Sequence, residues 1–176
     1  MAKIFYTSDT HFQHDRIIEL SNRPFRDVAE MDDTLIRNWN SVVGPQDIVW
    51  HLGDFSLKLG QTERLAWIFH ELAGIKRLIL GNHDYRRHGE VHPNILALPW
   101  DRPPRDFVET TDGENQVVLC HYALRSWPGE HRGAYHFFGH SHGTLPAFGR
   151  SRDVGVDAPG MDFTPRTFAE LAQGLD

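Results

Sequence analysis

Asp9, His11, Asp54, Asn82, His83, Asp84, His121, His140 and His142 share one placement: each stands just beyond a short run of β-branched, aliphatic and aromatic residues. Their oxygens and imidazole nitrogens form a ligand mixture suited to Mn, Fe, Zn, Ni or Co rather than to a soft metal held by thiolates. A single Gly-Asp or Gly-His pair is usually only a turn. The set, and its order along the chain, carry the weight.

The apolar runs read as strands over residues 3–8, 47–52, 75–80, 116–120 and 135–138, each ending in polar residues. Between them, Leu65, Ile68, Phe69 and Leu72 recur at helical spacing within 61–73, which stops at Gly74. A second helix covers 31–39, with Met31, Leu35 and Trp39 on one face, Asp27 or Asp32 as its cap and Gly44-Pro45 as its terminator. Strand and helix alternation in the first half predicts crossover connections and parallel strands. The second half predicts an antiparallel hairpin, 105–111 with 116–120, turning at 112–115, then a short strand at 154–157 and a last helical turn or two in 167–175. Pro-rich 93–104 reads as a surface loop. The result is a mixed α/β fold in which one crevice, outside the carboxyl ends of the strands, collects all five polar loops.

In order, the motifs are Asp9-Thr10-His11, Gly53-Asp54, Gly81-Asn82-His83-Asp84, His121 and Gly139-His140-Ser141-His142. This series resembles the calcineurin-like metallophosphoesterases. It covers positions 9 to 142 with no motif residue missing. Softer likenesses, at Asn22-Arg23-Pro24-Phe25 and Val154-Gly155-Val156-Asp157, are to a small bacterial and phage-like branch of that family. The resemblance implies an α/β fold of two mixed sheets facing each other as a β-sandwich flanked by helices, four layers in all. It also implies one metal held by Asp9, His11, Asp54 and His142 and a second held by Asp54, Asn82, His121 and His140, with Asp54 bridging. His83 would then be the proton donor to the departing alkoxide, and Asp84 its support, although Asn82-His83-Asp84 can equally cap a helix start.

Two cations roughly 3.5–4 Å apart can clamp a phosphate and acidify a bridging water, so that hydroxide attacks and no Ser or Cys nucleophile is required. A histidine with a pKa near 6.5 suits general-acid work. The expected activity is hydrolysis of a phosphomonoester or phosphodiester with two divalent metal ions, Mn first. The alternatives are a nuclease or nucleic-acid end phosphatase using the same site, and a non-catalytic protein-interaction module, whose signature of lost ligands is missing.

Outside the motifs, His14 can touch substrate from the loop after the first motif. His51, His70, His88, His92, His131 and His136 read as surface or structural residues, and Cys120 as a strand residue beside the site. Arg23, Arg26, Arg86, Arg87, Arg125 and Arg132 are able to pair with a phosphate, most of them being expected in solvent. With 176 residues, one domain over 1–176 is expected. A net charge of −6 argues mildly against a nucleic-acid partner and favours a small phosphate ester. One cysteine excludes an intrachain disulfide. No apolar run suits a signal or a membrane span, so a cytoplasmic location is expected.

Overall fold

Apolar stripes dictate where each element must sit. The computed structural model describes residues 2–175. Strand β1 (Ile4–Thr7) leads through a short helix α1 (Ile17–Leu20) to α2 (Val28–Val42), which buries Met31, Leu35, Ile36 and Trp39. Asp27 caps α2 by accepting from the Glu30 amide at 2.9 Å. Asp32, the other cap candidate, is buried within the helix and accepts from the Gln13 amide at 3.1 Å. Next come β2 (Ile48–His51), α3 (Thr62–Glu71) and β3 (Ile75–Leu78), in the order the periodicity predicts.

The remaining elements are α4 (Pro93–Leu96), β4 (Phe107–Asp112), β5 (Asn115–Cys120), β6 (Tyr135–Phe138), β7 (Ser151–Asp153), β8 (Arg166–Thr167) and α5 (Phe168–Leu171). One sheet has the order β3-β2-β1-β8 and the other β4-β5-β6-β7. β1, β2 and β3 are parallel, as are β5, β6 and β7, while β8 and β4 run antiparallel to their neighbours. The expected hairpin is present, with Asp112 paired to Asn115 across a two-residue turn.

Alternation of side chains sends Phe5, Val49 and Leu78 to the helical side of the first sheet, where they join the buried faces of α2 and α3. It sends Tyr6, Trp50 and Ile79 to the other side, against Val117, Leu119 and Phe137 of the second sheet. The Tyr6 and Phe137 rings meet edge to face at 5.0 Å. Helix, sheet and sheet thus form three layers. The fourth layer implied by the family likeness is not a long helix among the described residues: the outer face of β5 presents Val118 to Trp127 and Ala134, which lie in the β5–β6 connection.

Two other expectations need correction. The strand expected at 154–157 lies earlier, at Ser151–Asp153, and the later residues bridge the two sheets instead. There Gly155 pairs with Ser8, and the Val156 amide donates to Ser8 O at 3.0 Å. The loop expected at 93–104 begins as α4, since proline suits a first helical turn, and it folds inward because Ile95 and Leu98 are apolar enough to be buried. Among the described residues no helix is long and apolar enough to cross a membrane.

Candidate metal centre

Parallel pairing puts the carboxyl ends of β1, β2 and β3 on one edge and those of β5, β6 and β7 on another, and the two edges meet at the Ser8–Gly155 bridge. The motif loops leave the strands there. Asp9, His11, Asp54, His140 and His142 have φ of 56°, 48°, 57°, 67° and 47°, a left-handed conformation uncommon for residues with a Cβ. Cross-loop hydrogen bonds hold them in it. The Asp9 amide donates to Gly53 O and the His11 amide to Asp54 O, both at 3.0 Å, and the His140 amide donates to Asp9 Oδ2 at 2.9 Å. Non-glycine residues held in this region are a frequent mark of functional sites. The motif glycines answer a different need, close approach: a Cβ on Gly81 would lie 2.5 Å from the Asp54 amide nitrogen, and one on Gly139 would collide with Asp9 Oδ2 and Ser8 Oγ.

These loops bring the ligand atoms together. Asp54 Oδ2 lies 3.6 Å from both His11 Nε2 and His121 Nε2. Asp9 Oδ1 lies 3.8 Å from His11 Nε2 and from His142 Nε2. Asn82 Oδ1 is 2.9 Å from His140 Nδ1 and 3.1 Å from His121 Nε2. Asp9, His11 and His142 form one group of possible ligands, Asp54, His121 and His140 a second, and His11, Asp54 and His83 a third, each with its ligand atoms within 4.8 Å of one another. An ion about 2.0–2.2 Å from each ligand needs them about 3–3.5 Å apart, so small adjustments suffice. Asp9 Oδ1 and His11 Nε2 are buried without a hydrogen-bond partner. A bound cation satisfies both at once, and the residues therefore fit a metal.

The electrostatics point the same way. Burial, reinforced by the Asp54 charge, raises the Asp9 pKa to about 8 and that of Asp84 to about 7. Burial pushes His11 far down, with Arg23 adding to the effect, and it lowers His121 although Asp54 opposes. His142 differs: burial lowers it, but the Asp157 hydrogen bond and the Asp9 charge outweigh that and leave it raised. Buried acids that resist ionising beside histidines that resist protonation form a site that a cation relieves.

Hydrogen bonds select which ring nitrogen is free. His121 Nδ1 donates to Leu52 O at 2.7 Å, and His142 Nδ1 lies 2.5 Å from Asp157 Oδ2, so in both rings Nε2 faces the cluster. Asp157 is held in turn by Arg23, whose guanidinium stands 2.9 Å from its Oδ2 and 2.7 Å from its Oδ1 and donates to the carbonyls of Asp9 and Thr10 at 2.7 and 2.9 Å. Arg23 is buried, so its expected pairing with a substrate phosphate gives way to a structural role behind the first motif. Sequence reasoning missed Asp157. The signal was present in the likenesses of 22–25 and 154–157 to one branch of a family, the two segments that this ion pair joins.

The other expectations divide. His83 stays half-exposed at the rim, with Nε2 4.0 Å from Asp54 Oδ2 and its amide donating to Asp54 Oδ1 at 2.8 Å. Asp84 is fully buried, and its Oδ2 accepts from the amides of Gly81 at 2.8 Å and Asp54 at 3.0 Å. It therefore clamps two motif loops together through Oδ2, while its Oδ1 is buried without a hydrogen-bond partner. His14 is buried, with Nδ1 3.4 Å from His11 Nδ1. His51 and His136 are buried and hydrogen-bonded, His92 caps α4, and His70, His88 and His131 are exposed. Arg26, Arg86, Arg87, Arg125 and Arg132 are exposed. Cys120 is half-buried in β5, immediately before His121.

No family model matches the chain. An uncharacterized protein of Methanocaldococcus jannaschii is 48% identical over 84 residues, which cover 48% of this chain and 48% of that protein. The gene 66 protein of Mycobacterium phage D29 is 34% identical over 137 residues, 69% of this chain and 64% of that protein. The chain spans about half to two-thirds of the length of these curated relatives. Among solved structures, a protein of unknown function from Aquifex aeolicus is similar with a TM-score of 0.73 and 22% identity, covering 97% of this chain and 98% of that one. A structurally and functionally characterized archaeal phosphodiesterase is similar with a TM-score of 0.53 and 19% identity, over 89% of this chain and 84% of that one. At these identities the likeness is one of fold.

Proposed function

We propose that the chain hydrolyses phosphate esters at a centre of two divalent metal ions, manganese foremost, one held by Asp9, His11, Asp54 and His142 and the other by Asp54, Asn82, His121 and His140. The observation that carries this reading is the pair of buried, partnerless ligand atoms, Asp9 Oδ1 and His11 Nε2, beside a carboxylate equidistant from two imidazoles. Bound there, divalent cations supply positive charge to a phosphate and lower the pKa of water. A fold shared with an archaeal phosphodiesterase supports the same class of reaction.

The chain's own residues do the rest. Asp54 faces both ligand groups and fixes their spacing. Arg23 and Asp157 keep His142 turned inward. His83, at the rim beside Asp54, is placed to donate a proton from Nε2 to a departing alcohol. His83 also forms a group of possible ligands with His11 and Asp54, so metal content after its substitution separates donation from ligation.

The test is a panel of an aryl phosphomonoester, an aryl phosphodiester, cyclic nucleotides and oligonucleotides, assayed with chelated and manganese-reconstituted protein. Turnover of at least one ester, lost on chelation and restored by manganese, is the expected result. A protein that takes up metal yet turns over none of them contradicts the proposal. Preference for oligonucleotides over the small esters would move the assignment to a nuclease.

A further inference from the structure

The face of the first sheet that meets the second is lined by core residues such as Leu52 and Ile79. At the open edge its character changes. Pairing sets Tyr6, Trp50 and Arg77 side by side on β1, β2 and β3, all on this inner face. Arg77 is an ion at a core position, with its side chain only 13% exposed. Trp50 is buried beneath it, and the indole N–H has no acceptor.

The chain then crosses from β3 to β4 and brings Arg102 and Arg105 to the same place. With Phe107 at the start of β4, these side chains line a cavity of about 380 Å³. That volume lies in the range of about 300–1,000 Å³ typical of pockets for small organic ligands. Asp101 stands 2.7 Å from Arg77 Nε and 3.7 Å from Arg102 Nε, and Glu109 lies on the rim. The arginines outnumber these two acids, so the pocket is net positive on a chain of net charge −6. Phe107 is exposed, and none of the lining residues belongs to the metal-ligand groups.

We infer that this seam between the sheet edges is a second binding site, for an organic phosphate of the nucleotide type. Guanidinium groups pair with phosphate in a planar, two-pronged geometry. The exposed Phe107 ring offers a surface on which a base can stack, and Trp50 lies beneath the arginines as a buried reporter of binding. The site is independent of the metal centre and of the reaction proposed for it.

The experiment follows the Trp50 indole N–H resonance, assigned with Trp50→Phe, in the full-length protein. A chelating buffer prevents metal-dependent turnover of the ligand. Adenosine 5′-monophosphate is expected to shift that resonance saturably, with adenosine and inorganic phosphate each binding about tenfold or more weakly. The double variant Arg102→Gln, Arg105→Gln replaces two exposed guanidinium groups with neutral amides, retains the fold, and is expected to weaken the nucleotide by about tenfold or more. Adenosine binding as tightly as the nucleotide overturns the role of the arginines. Inorganic phosphate binding equally well overturns the organic ligand and leaves a bare anion site. No shift of the Trp50 resonance up to about 10 mM nucleotide, or undiminished binding by the double variant, overturns the site itself.

Discussion

His83 and His140 stand at the same rim with different neighbours, and their chemistry should differ accordingly. His140 Nδ1 is 2.9 Å from Asn82 Oδ1, whereas His83 Nε2 approaches Asp54 Oδ2 only to 4.0 Å and keeps two-fifths of its side chain in solvent. His83→Ala is therefore expected to slow alkyl phosphate esters by roughly 10²–10⁴-fold and esters of acidic phenols far less, with metal content unchanged. Equal slowing of both ester classes, with loss of a metal, would show His83 to be a ligand. Asp157 acts one step further back. Asp157→Asn should weaken metal binding at the Asp9, His11 and His142 group by about 10–100-fold, read by competition with a chromophoric chelator, and leave the other group's affinity nearly intact. An unchanged isotherm would reduce the Arg23–Asp157 pair to packing. The motif residues that cluster at the candidate centre were legible in the sequence because each stands a few residues beyond the end of a strand. Arg23 and Asp157 were not, since the pair closes over 134 residues and only the fold makes them neighbours.

At the scale of elements, parallel strands end together and their loops interlock through the motif glycines. The backbone at Gly81 is so close to Asp54 that a methyl group cannot be accommodated by side-chain rotation. Gly81→Ala is expected to lower both melting temperature and metal stoichiometry, while Gly60→Ala, where an added Cβ meets nothing within 4 Å, should do neither. Matching melting curves and metal contents for the two variants would contradict the interlocking. Elements with an apolar run or regular apolar spacing, α2, α3 and the strands β1, β2, β5 and β6, were legible because local pattern and burial agree. β7 and β8 were not. They have three and two residues, too few to show alternation, and they exist because β6 and β1 offer free edges to pair with. On the outer face of the second sheet, the β5–β6 connection packs Trp127 and Ala134 against Val118.

For the molecule as a whole, the site's burial has a consequence for stability. Above about pH 6.5 ordinary histidines of the unfolded chain are neutral, and the buried histidines with lowered pKa are neutral in the fold as well, so they drop out of the balance. Asp9 and Asp84, raised to about 8 and about 7 by burial, still hold protons in the fold that unfolded carboxylates have given up. The folded state then binds more protons than the unfolded one, and stability must fall as pH climbs through these values. Metal-free protein is expected to lose on the order of 2 kcal/mol, roughly 5 °C in melting temperature, between about pH 6.5 and 8. Saturating manganese takes the place of the Asp9 proton and should shrink the decline. A metal-free melting temperature that rises across this window would contradict the assignment of raised acids. The central claim, a two-ion centre joined through one carboxylate, is tested most directly by elemental analysis of folded, manganese-reconstituted protein beside its Asp54→Ala variant. The expected result is about two ions per chain in the parent and far fewer than one in the variant, because both ions lose the same ligand. Retention of nearly two ions by the folded variant would contradict it.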